Sequence, residues 1–349
     1  MGAASPGQRR VKVFITGGTG LVGRHVIAAL RARGDTIRAL ARSEAAAAGL
    51  AELGAEPVRG DLSDAARIDL LAEGADAVVH AAAIVLAGGR WAAWHEANVL
   101  GTERVARSAA RHGARLIHMS SVAVYGRQLA REPGSAGLDE EFDLERAAAP
   151  RDSYARSKRE AELTVWRVAK ETGLCAVALR PCVIYGEGDR HFSPRVARLL
   201  RRGLVPLVGN GANHLTVVYA GNVAAAVIAA LDHDRVTGPF NITNDGAITQ
   251  RGFIERFAAG LGVEPRSIRI PRGLASRAAR LWDATLGALP PLSGAPSLAG
   301  AVQFLAGENS YSSARAQRLL DWRPPVPAAD AVERTGASFR SAARSGSHP

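Results

Sequence analysis

The spacing of apolar positions along the first half of the chain alternates between a period of two and the wider period of a helix. Val11, Val13 and Ile15 alternate with Lys12, Phe14 and Thr16, which predicts a short strand. From Leu21 onward, Leu21, Val22, Val26, Ile27, Ala29 and Leu30 fall at helical spacing. The same switch recurs. Thr36–Ala41 reads as a second strand and 42–53 as an alanine-rich helix, and Glu56–Arg59 is a short third strand closed by Gly60 and Asp61. Residues 75–82 form a fourth strand, apolar on both faces as a central parallel strand is. A long helix over 94–112, a fifth strand over 115–120, a helix over 153–171 and a sixth strand over 175–179 complete the series. Strands alternating with helices predict an α/β fold, a doubly wound parallel sheet with helices on both faces. The stretch 126–151, rich in Gly, Pro, Ala and acids, reads as a surface loop over the sheet's edge.

Beyond Pro181 the regularity breaks. Short helices over 193–202, 220–232 and 249–261 mix with strand-like pieces at 215–219 and 239–242. The expected organisation is therefore a sheet domain over 1–180, joined by 215–242, and a smaller, irregular α/β domain from 181–214 and 243–340 that caps the sheet's C-terminal edge. Residues 341–349 read as a flexible tail. The stretch 274–292 is apolar at helical spacing but interrupted by Arg277, Arg280 and Asp283, so it suits a core helix, an apolar lid or a helix resting on a membrane surface.

The first strand-to-helix junction carries chemistry. It reads TGGTGLVG, with glycines at Gly17, Gly20 and Gly23. Bare backbone lets a phosphate approach closely, and a helix N-terminus offers free N–H groups and the positive end of a dipole. Strand, glycine turn and helix in that order suit the pyrophosphate of a dinucleotide. A second signal is Tyr154-x-x-x-Lys158 within the 153–171 helix. Residues four apart share a helix face, and a nearby ammonium favours phenolate, so Tyr154 is expected to exchange a proton near neutral pH. With five tyrosines and three lysines in the chain, this spacing has little chance of being accidental. The third signal is Ser120-Ser121 at the end of the fifth strand, where a hydroxyl faces the ligand crevice of a doubly wound sheet.

Composition narrows the classes. The net charge is +11, but 41 of the 44 basic residues are scattered arginines and no clustered stripe or nucleic-acid module accompanies them. There is no apolar signal segment at the N-terminus and no run long enough to span a membrane, so a cytoplasmic protein is expected, with Cys175 and Cys182 as reduced thiols. His80 and His118 sit in strands without a second ligand at metal spacing, so no metal is expected. Trp91 and Trp94 suit either helix anchors or a pocket wall.

Taken together, the signals resemble the extended short-chain dehydrogenase/reductase family. The likeness runs through TGGTGLVG (16–23), GDL (60–62), HAAA (80–83), NVLGT (98–102), SSVAVYG (120–126), YARSK (154–158), RPCVIYG (180–186), VYAGNVAAA (218–226) and YSSARAQRLLDWRP (311–324). The resemblance implies Ser121 as catalytic serine, Tyr154 as acid/base, and Lys158 as its partner and a holder of the nicotinamide ribose. It implies that Gly17, Thr19, Gly20, Leu21, Val22 and Gly23 cradle the cofactor and that Asp61 and Leu62 meet its adenine. Ala81, Ala82 and Ala83 would line it, Asn98 would support the site, and Pro181 and Val183 would lie near the nicotinamide.

An NAD site usually ends its second strand in a carboxylate for the ribose hydroxyls. Here Ala41 holds that position and Arg42 follows, so Arg42, with Arg38, suits a 2′-phosphate and NADP(H) is favoured over NAD(H). The glycine-rich segment of the second half carries His214, a weaker diphosphate clamp than arginine, and the Asn222 motif resembles the 3β-hydroxysteroid dehydrogenase and dihydroflavonol reductase branches. The expected activity is interconversion of a hydrophobic secondary alcohol and its ketone. Nucleotide-sugar epimerisation or dehydration on the same residues and a non-catalytic cofactor-binding protein are the alternatives. The expected partners are a small hydrophobic substrate, a membrane surface touched peripherally and a second copy of the chain in a homodimer; nucleic acid is not expected.

Overall fold

The structure, a computed structural model, describes residues 10–85, 91–126, 138–145, 152–285, 298–309 and 311–345, with side chains as far as 340. Its elements in chain order are β1 Lys12–Thr16, α1 Leu21–Arg33, β2 Thr36–Ala41, α2 Glu44–Glu52, β3 Glu56–Arg59, α3 Ala65–Ala72, β4 Ala77–His80 and α4 Trp91–Trp94. A π-helical segment His95–Leu100 leads from α4 into α5 Gly101–Arg111. Then come β5 Arg115–Met119, a 3₁₀ turn Val122–Tyr125, α6 Ser153–Thr172, β6 Ala176–Pro181, β7 Val183–Tyr185, α7 Ser193–Arg201, β8 Leu204–Val208, β9 Val217–Tyr219 and α8 Ala220–Asp232. The chain continues through β10 Gly238–Ile242, α9 Gln250–Leu261, β11 Arg266–Ile270, α10 Arg272–Thr285, α11 Leu298–Ala306, α12 Ala314–Leu319 and α13 Ala328–Ser345.

Seven parallel strands form the main sheet in the order β10-β6-β5-β4-β1-β2-β3. The order reverses beside β1, and the crevice of such a sheet opens above the strand C-termini at that point. β1, β4, β5 and β6 are buried on both faces almost throughout, which is why they read as continuous apolar runs. One core layer joins the sheet to α1 and α8 through Val26, Ile27, Leu30, Val223 and Val227, and reaches Leu320 and Trp322 near the end of the chain. The opposite layer holds α3, α5 and α6 through Ile68, Leu71, Val105, Val165 and Val168. A third core, around Tyr185, Phe253 and Phe257, belongs to the second half, where β7 pairs with β9 and β8 with β11.

Several expectations are corrected. The second helix begins at Glu44, not residue 42, because the Ser43 hydroxyl caps it by accepting from Ala46 N at 3.1 Å. α3 has no counterpart in the sequence reading; its charged first turn hid the apolar stripe Ile68, Leu71 and Ala72. The supposed tail is helical as far as Ser345. α13 lies against α9 so closely that a Cβ at Gly260 would stand 2.0 Å from Glu333 O, and Phe339 stacks on Phe257 at 6.2 Å between ring centroids. Residues 346–349 lie outside the described residues, as do 127–137 and 146–151 of the expected loop. α10 is not a core helix: Ala275 and Ala279 are buried, whereas Leu274, Leu281 and Trp282 are 61%, 67% and 45% exposed. Residues 286–292 of that stretch are outside the described residues. Among the described residues no helix is long and apolar enough to cross a membrane.

Candidate active site

The glycine turn opens the site at the C-terminus of β1. Gly17 has φ +75°, and a Cβ there would fall 2.5 Å from Ala82 N and 2.6 Å from Ala81 C. At Gly23 a Cβ would meet Gly17 O at 2.2 Å, so α1 can lie against the turn only without a side chain. Gly20 N donates to Gly17 O at 3.0 Å, and Gly20 caps α1 with no side-chain hydrogen bond and no acidic residue in the first turn. Thr19 and Gly20 are exposed, and Leu21 and Val22 half-buried. Bare backbone and an uncapped helix N-terminus fit a dinucleotide pyrophosphate.

The wall beside this turn is Ala81–Ala83, held by a directed hydrogen-bond chain. The Thr102 hydroxyl donates to Asn98 O at 2.6 Å and therefore accepts from His80 Nε2, 2.9 Å away. His80 Nδ1 is then the acceptor for the Thr16 hydroxyl at 2.7 Å, and Thr16 Oγ1 accepts from Ala82 N at 3.3 Å. Asn98 accepts from Ile84 N at 2.8 Å and donates to Ile84 O at 3.0 Å and to Ser157 Oγ at 2.9 Å. One buried asparagine thus ties the Ala81–Ala83 segment to α6. Burial, reinforced by the Lys158 charge, pushes His80 down to about 3 and His118 well below its ordinary value, so both rings are neutral.

α6 carries the next pair. Asp152 caps it by accepting from Ala155 N at 2.9 Å, which places Tyr154 and Lys158 on the face turned to β5. The Ser121 side chain lies close enough to the Tyr154 hydroxyl to favour its ionised form, against the effect of burial. Ser121 Oγ also accepts from Ala123 N at 3.1 Å, capping the turn Val122–Tyr125 and fixing its own rotamer. Trp94 is buried and meets the Tyr154 ring edge-on at 6.3 Å, so it walls the site, whereas Trp91 lies outside beneath the Arg156 guanidinium at 3.9 Å. Lys158 Nζ donates to Met119 O at 2.7 Å. Its burial brings its pKa down to about 8, against the opposing pull of Glu162. Tyr154 is half-exposed by area but crowded by protein, and this dehydration raises its pKa, with Asp152 adding to the rise and Ser121 opposing it. The expected lowering of the Tyr154 pKa is not seen; burial of the phenol outweighs it.

The remaining expected residues are spread along the same edge. Arg42 is exposed just past β2, with no carboxylate at Ala41. Arg38 is corrected: its guanidinium hydrogen-bonds Glu73 O and so is not free to join Arg42. Asp61 is exposed and accepts from Ser63 N at 3.0 Å. Leu62 O accepts from Arg104 at 3.3 Å, which fixes the GDL corner. Pro181 ends β6, and Val183 follows on β7, partly exposed. His214 hydrogen-bonds Glu308. Asn222 does not enter the site. It clasps Val326 through two backbone hydrogen bonds, at 2.8 and 3.0 Å, and its carbonyl accepts from Trp322 Nε1 at 3.1 Å. Sequence reasoning missed Glu162 and Arg180, buried side by side behind Ser121. The visible signals were a carboxylate four residues after Lys158 and an arginine inside the otherwise apolar β6.

A glycine turn, a strand-end serine and a helix-borne tyrosine and lysine along one edge of a doubly wound parallel sheet define a nicotinamide-dependent enzyme of the Rossmann type. The model of the NAD dependent epimerase/dehydratase family matches residues 13–243, and the chain belongs to that family, within the extended short-chain dehydrogenase/reductases. It is an NAD-dependent oxidoreductase. It is 32% identical over 316 residues to the 4-hydroxy-2-methyl-3-oxo-4-farnesyl-3,4-dihydroquinoline-1-oxide ketoreductase of Stigmatella aurantiaca, covering 89% of this chain and 92% of that one. It is 32% identical over 346 residues to the 2-alkyl-3-oxoalkanoate reductase of Stenotrophomonas maltophilia, covering 94% and 99%. Over 339 residues it is 29% identical to the sterol-4-alpha-carboxylate 3-dehydrogenase, decarboxylating, of Mus musculus, covering 94% and 91%.

Proposed function

We propose that the protein interconverts a hydrophobic secondary alcohol and its ketone, with NADP(H) preferred over NAD(H). The observation that carries this reading is the convergence of Ser121, just past the end of β5, with Tyr154 on α6 and with Lys158, one helical turn further on, whose ammonium donates to Met119 O at 2.7 Å. When bound, the cofactor gives or takes a hydride at the carbonyl carbon. Gly17 and the segment Thr19, Gly20, Leu21, Val22 and Gly23 hold its pyrophosphate, Asp61 and Leu62 its adenine side, and Ala81, Ala82 and Ala83 its flank, with Asn98 behind them. Pro181 and Val183 stand at the nicotinamide end. Ser121 polarises the carbonyl oxygen. Tyr154, a phenol held neutral at pH 7 and made more so by burial, donates the proton that this oxygen needs in reduction. The Lys158 ammonium, charged below about 8, offsets the phenolate left behind.

The substrate class is supported from two sides. The two 32%-identical relatives are named for reduction of compounds that carry a 3-oxo group beside an alkyl or farnesyl substituent. In this chain His214 is engaged by a carboxylate, Glu308, a poor setting for a nucleotide diphosphate, and Val183 presents an apolar side chain where β6 leaves the sheet. Arg42 supports the NADP(H) preference, since a guanidinium without a neighbouring carboxylate binds a 2′-phosphate. The test follows nicotinamide absorbance with a 2-alkyl-3-oxoalkanoate and with nucleotide sugars. Stoichiometric oxidation of NADPH by the oxo acid is expected. Conversion of a nucleotide sugar with no net change in absorbance would overturn the reading in favour of epimerisation, and cofactor binding without turnover of any carbonyl would overturn it in favour of a non-catalytic role.

A further inference from the structure

Behind Ser121 lies a buried ion pair for which the proposed chemistry has no use. Glu162, on α6, is fully buried, and Arg180, on β6, is 2% exposed. Arg180 Nε lies 3.1 Å from both Glu162 oxygens, and Nη2 donates to Oε1. Such a pair is weak as a stabilising device, because two charges are taken out of water to make it. Apart from a bond from Trp166 Nε1 to Glu162 Oε1 at 3.2 Å, its remaining hydrogen bonds go to one segment. The Ser120 hydroxyl donates to Glu162 Oε2. Arg180 Nη1 donates to the Tyr125 hydroxyl at 2.8 Å, which is within donating distance of Asn241 Oδ1, also at 2.8 Å. Ser121 lies between these two grips and caps the turn that joins them. α6 adds a further contact on the same segment, from Arg159 Nε to Val124 O at 2.6 Å. The helix that presents Tyr154 and the turn that presents Ser121 are thereby locked to each other through Glu162 and Arg180.

We propose that Arg180 and Glu162 are positioning residues for the reaction, fixing the Ser121 hydroxyl against that of Tyr154 by holding Ser120 on one side and Tyr125 on the other. The proposal rests on the reading of Ser121 and Tyr154 as reacting groups. A buried pair can be exchanged for apolar residues of similar volume without loss of fold, so the informative variant is the double substitution Glu162→Leu with Arg180→Met. Its melting temperature and its KM for NADPH are expected to stay near those of the wild type, while kcat falls by about 10- to 100-fold, the scale of a small misplacement of a reacting group. A purely structural pair would leave kcat alone once the protein is folded, and an unchanged kcat overturns the proposal. Should the double variant not fold, Ser120→Ala and Tyr125→Phe each remove a single hydroxyl from the grip. Both are expected to lower kcat with KM for NADPH unchanged, and normal kcat in both overturns the proposal. Tyr154→Phe in the same assay separates the two readings. If it is inactive while the pair variants are normal, the positioning role falls alone; if it is fully active, both fall.

Discussion

Tyr154 and Lys158 stand one turn apart on the same face of α6, and burial acts on both in one sense, toward the neutral form. It raises the phenol and brings the ammonium down to about 8. Tyr154 is therefore a protonated phenol throughout the neutral range, as the proposed donor must be. Replacing it by phenylalanine is expected to leave NADPH affinity within about twofold and to cut turnover by at least ~100-fold, the scale of general acid help. Stopped-flow turnover beside a fluorescence titration of the cofactor checks both halves.

Lys158 also carries a stability consequence. Its folded pKa of about 8 lies below the ordinary value, so between about 8 and 10.5 the unfolded chain binds more protons and stability rises with pH. The cost of burying the ammonium is present in full below about 8. Lys158→Met is thus expected to melt at a higher temperature than the wild type at pH 7, with the gap closing toward pH 10, while turnover is lost. A melting temperature below that of the wild type at pH 7 would contradict this.

His80 and His118 act at the other end of the pH scale. Both are neutral when folded, with His80 at about 3 and His118 also well below 6.5, so the unfolded chain takes up protons that the native state refuses. The contribution of these two rings to stability is expected to be constant above about 6.5 and to fall as pH drops from there toward 3. Neither ring nitrogen of His118 has a hydrogen-bond partner among the described residues, so His118→Phe should keep the fold at pH 7 and flatten the acid loss. Thermal melts across pH 4 to 7 read the difference.

Arg42 decides cofactor choice in the proposed reading. Arg42→Ala is expected to lower kcat/KM with NADPH by about tenfold or more and to leave that with NADH nearly unchanged, since only the 2′-phosphate loses a charge-assisted contact. An unchanged ratio of the two would remove Arg42 from the site.

At the glycine turn the expectation is steric. Gly23→Ala would set a methyl group 2.2 Å from Gly17 O, and backbone cannot retreat as a flexible side chain would. Cofactor affinity is expected to fall by more than tenfold, with lower thermal stability; a titration with NADPH and a melt decide it.

Much of this was legible in sequence for a physical reason. β1, β4, β5 and β6 are central parallel strands, and their continuous apolar runs are a direct imprint of burial on both faces. The Tyr154-x-x-x-Lys158 spacing placed both side chains correctly on one helix face. The direction of the Tyr154 shift was not legible, because it is set first by how deeply the folded chain buries the phenol, which no local spacing reveals. Glu162 and Arg180 escaped for a similar reason: a charged residue in sequence reads as surface until its partner across the fold is known. α10 misled in the opposite way, since its apolar residues look like core and Leu274 and Leu281 face outward.

The place of β10 bears on how the two halves of the chain depend on each other. The sheet strand beside β6 is drawn from residues 238–242, and the core layer over α1 and α8 is closed by Leu320 and Trp322, roughly three hundred residues after the glycine turn. The cofactor cradle therefore draws part of its support from segments far downstream of it. Leu320 and Trp322 thus tie the stretch before α13 to the nucleotide half, while α13 itself packs on α9 in the third core, so one stretch of chain braces both halves of the molecule at once.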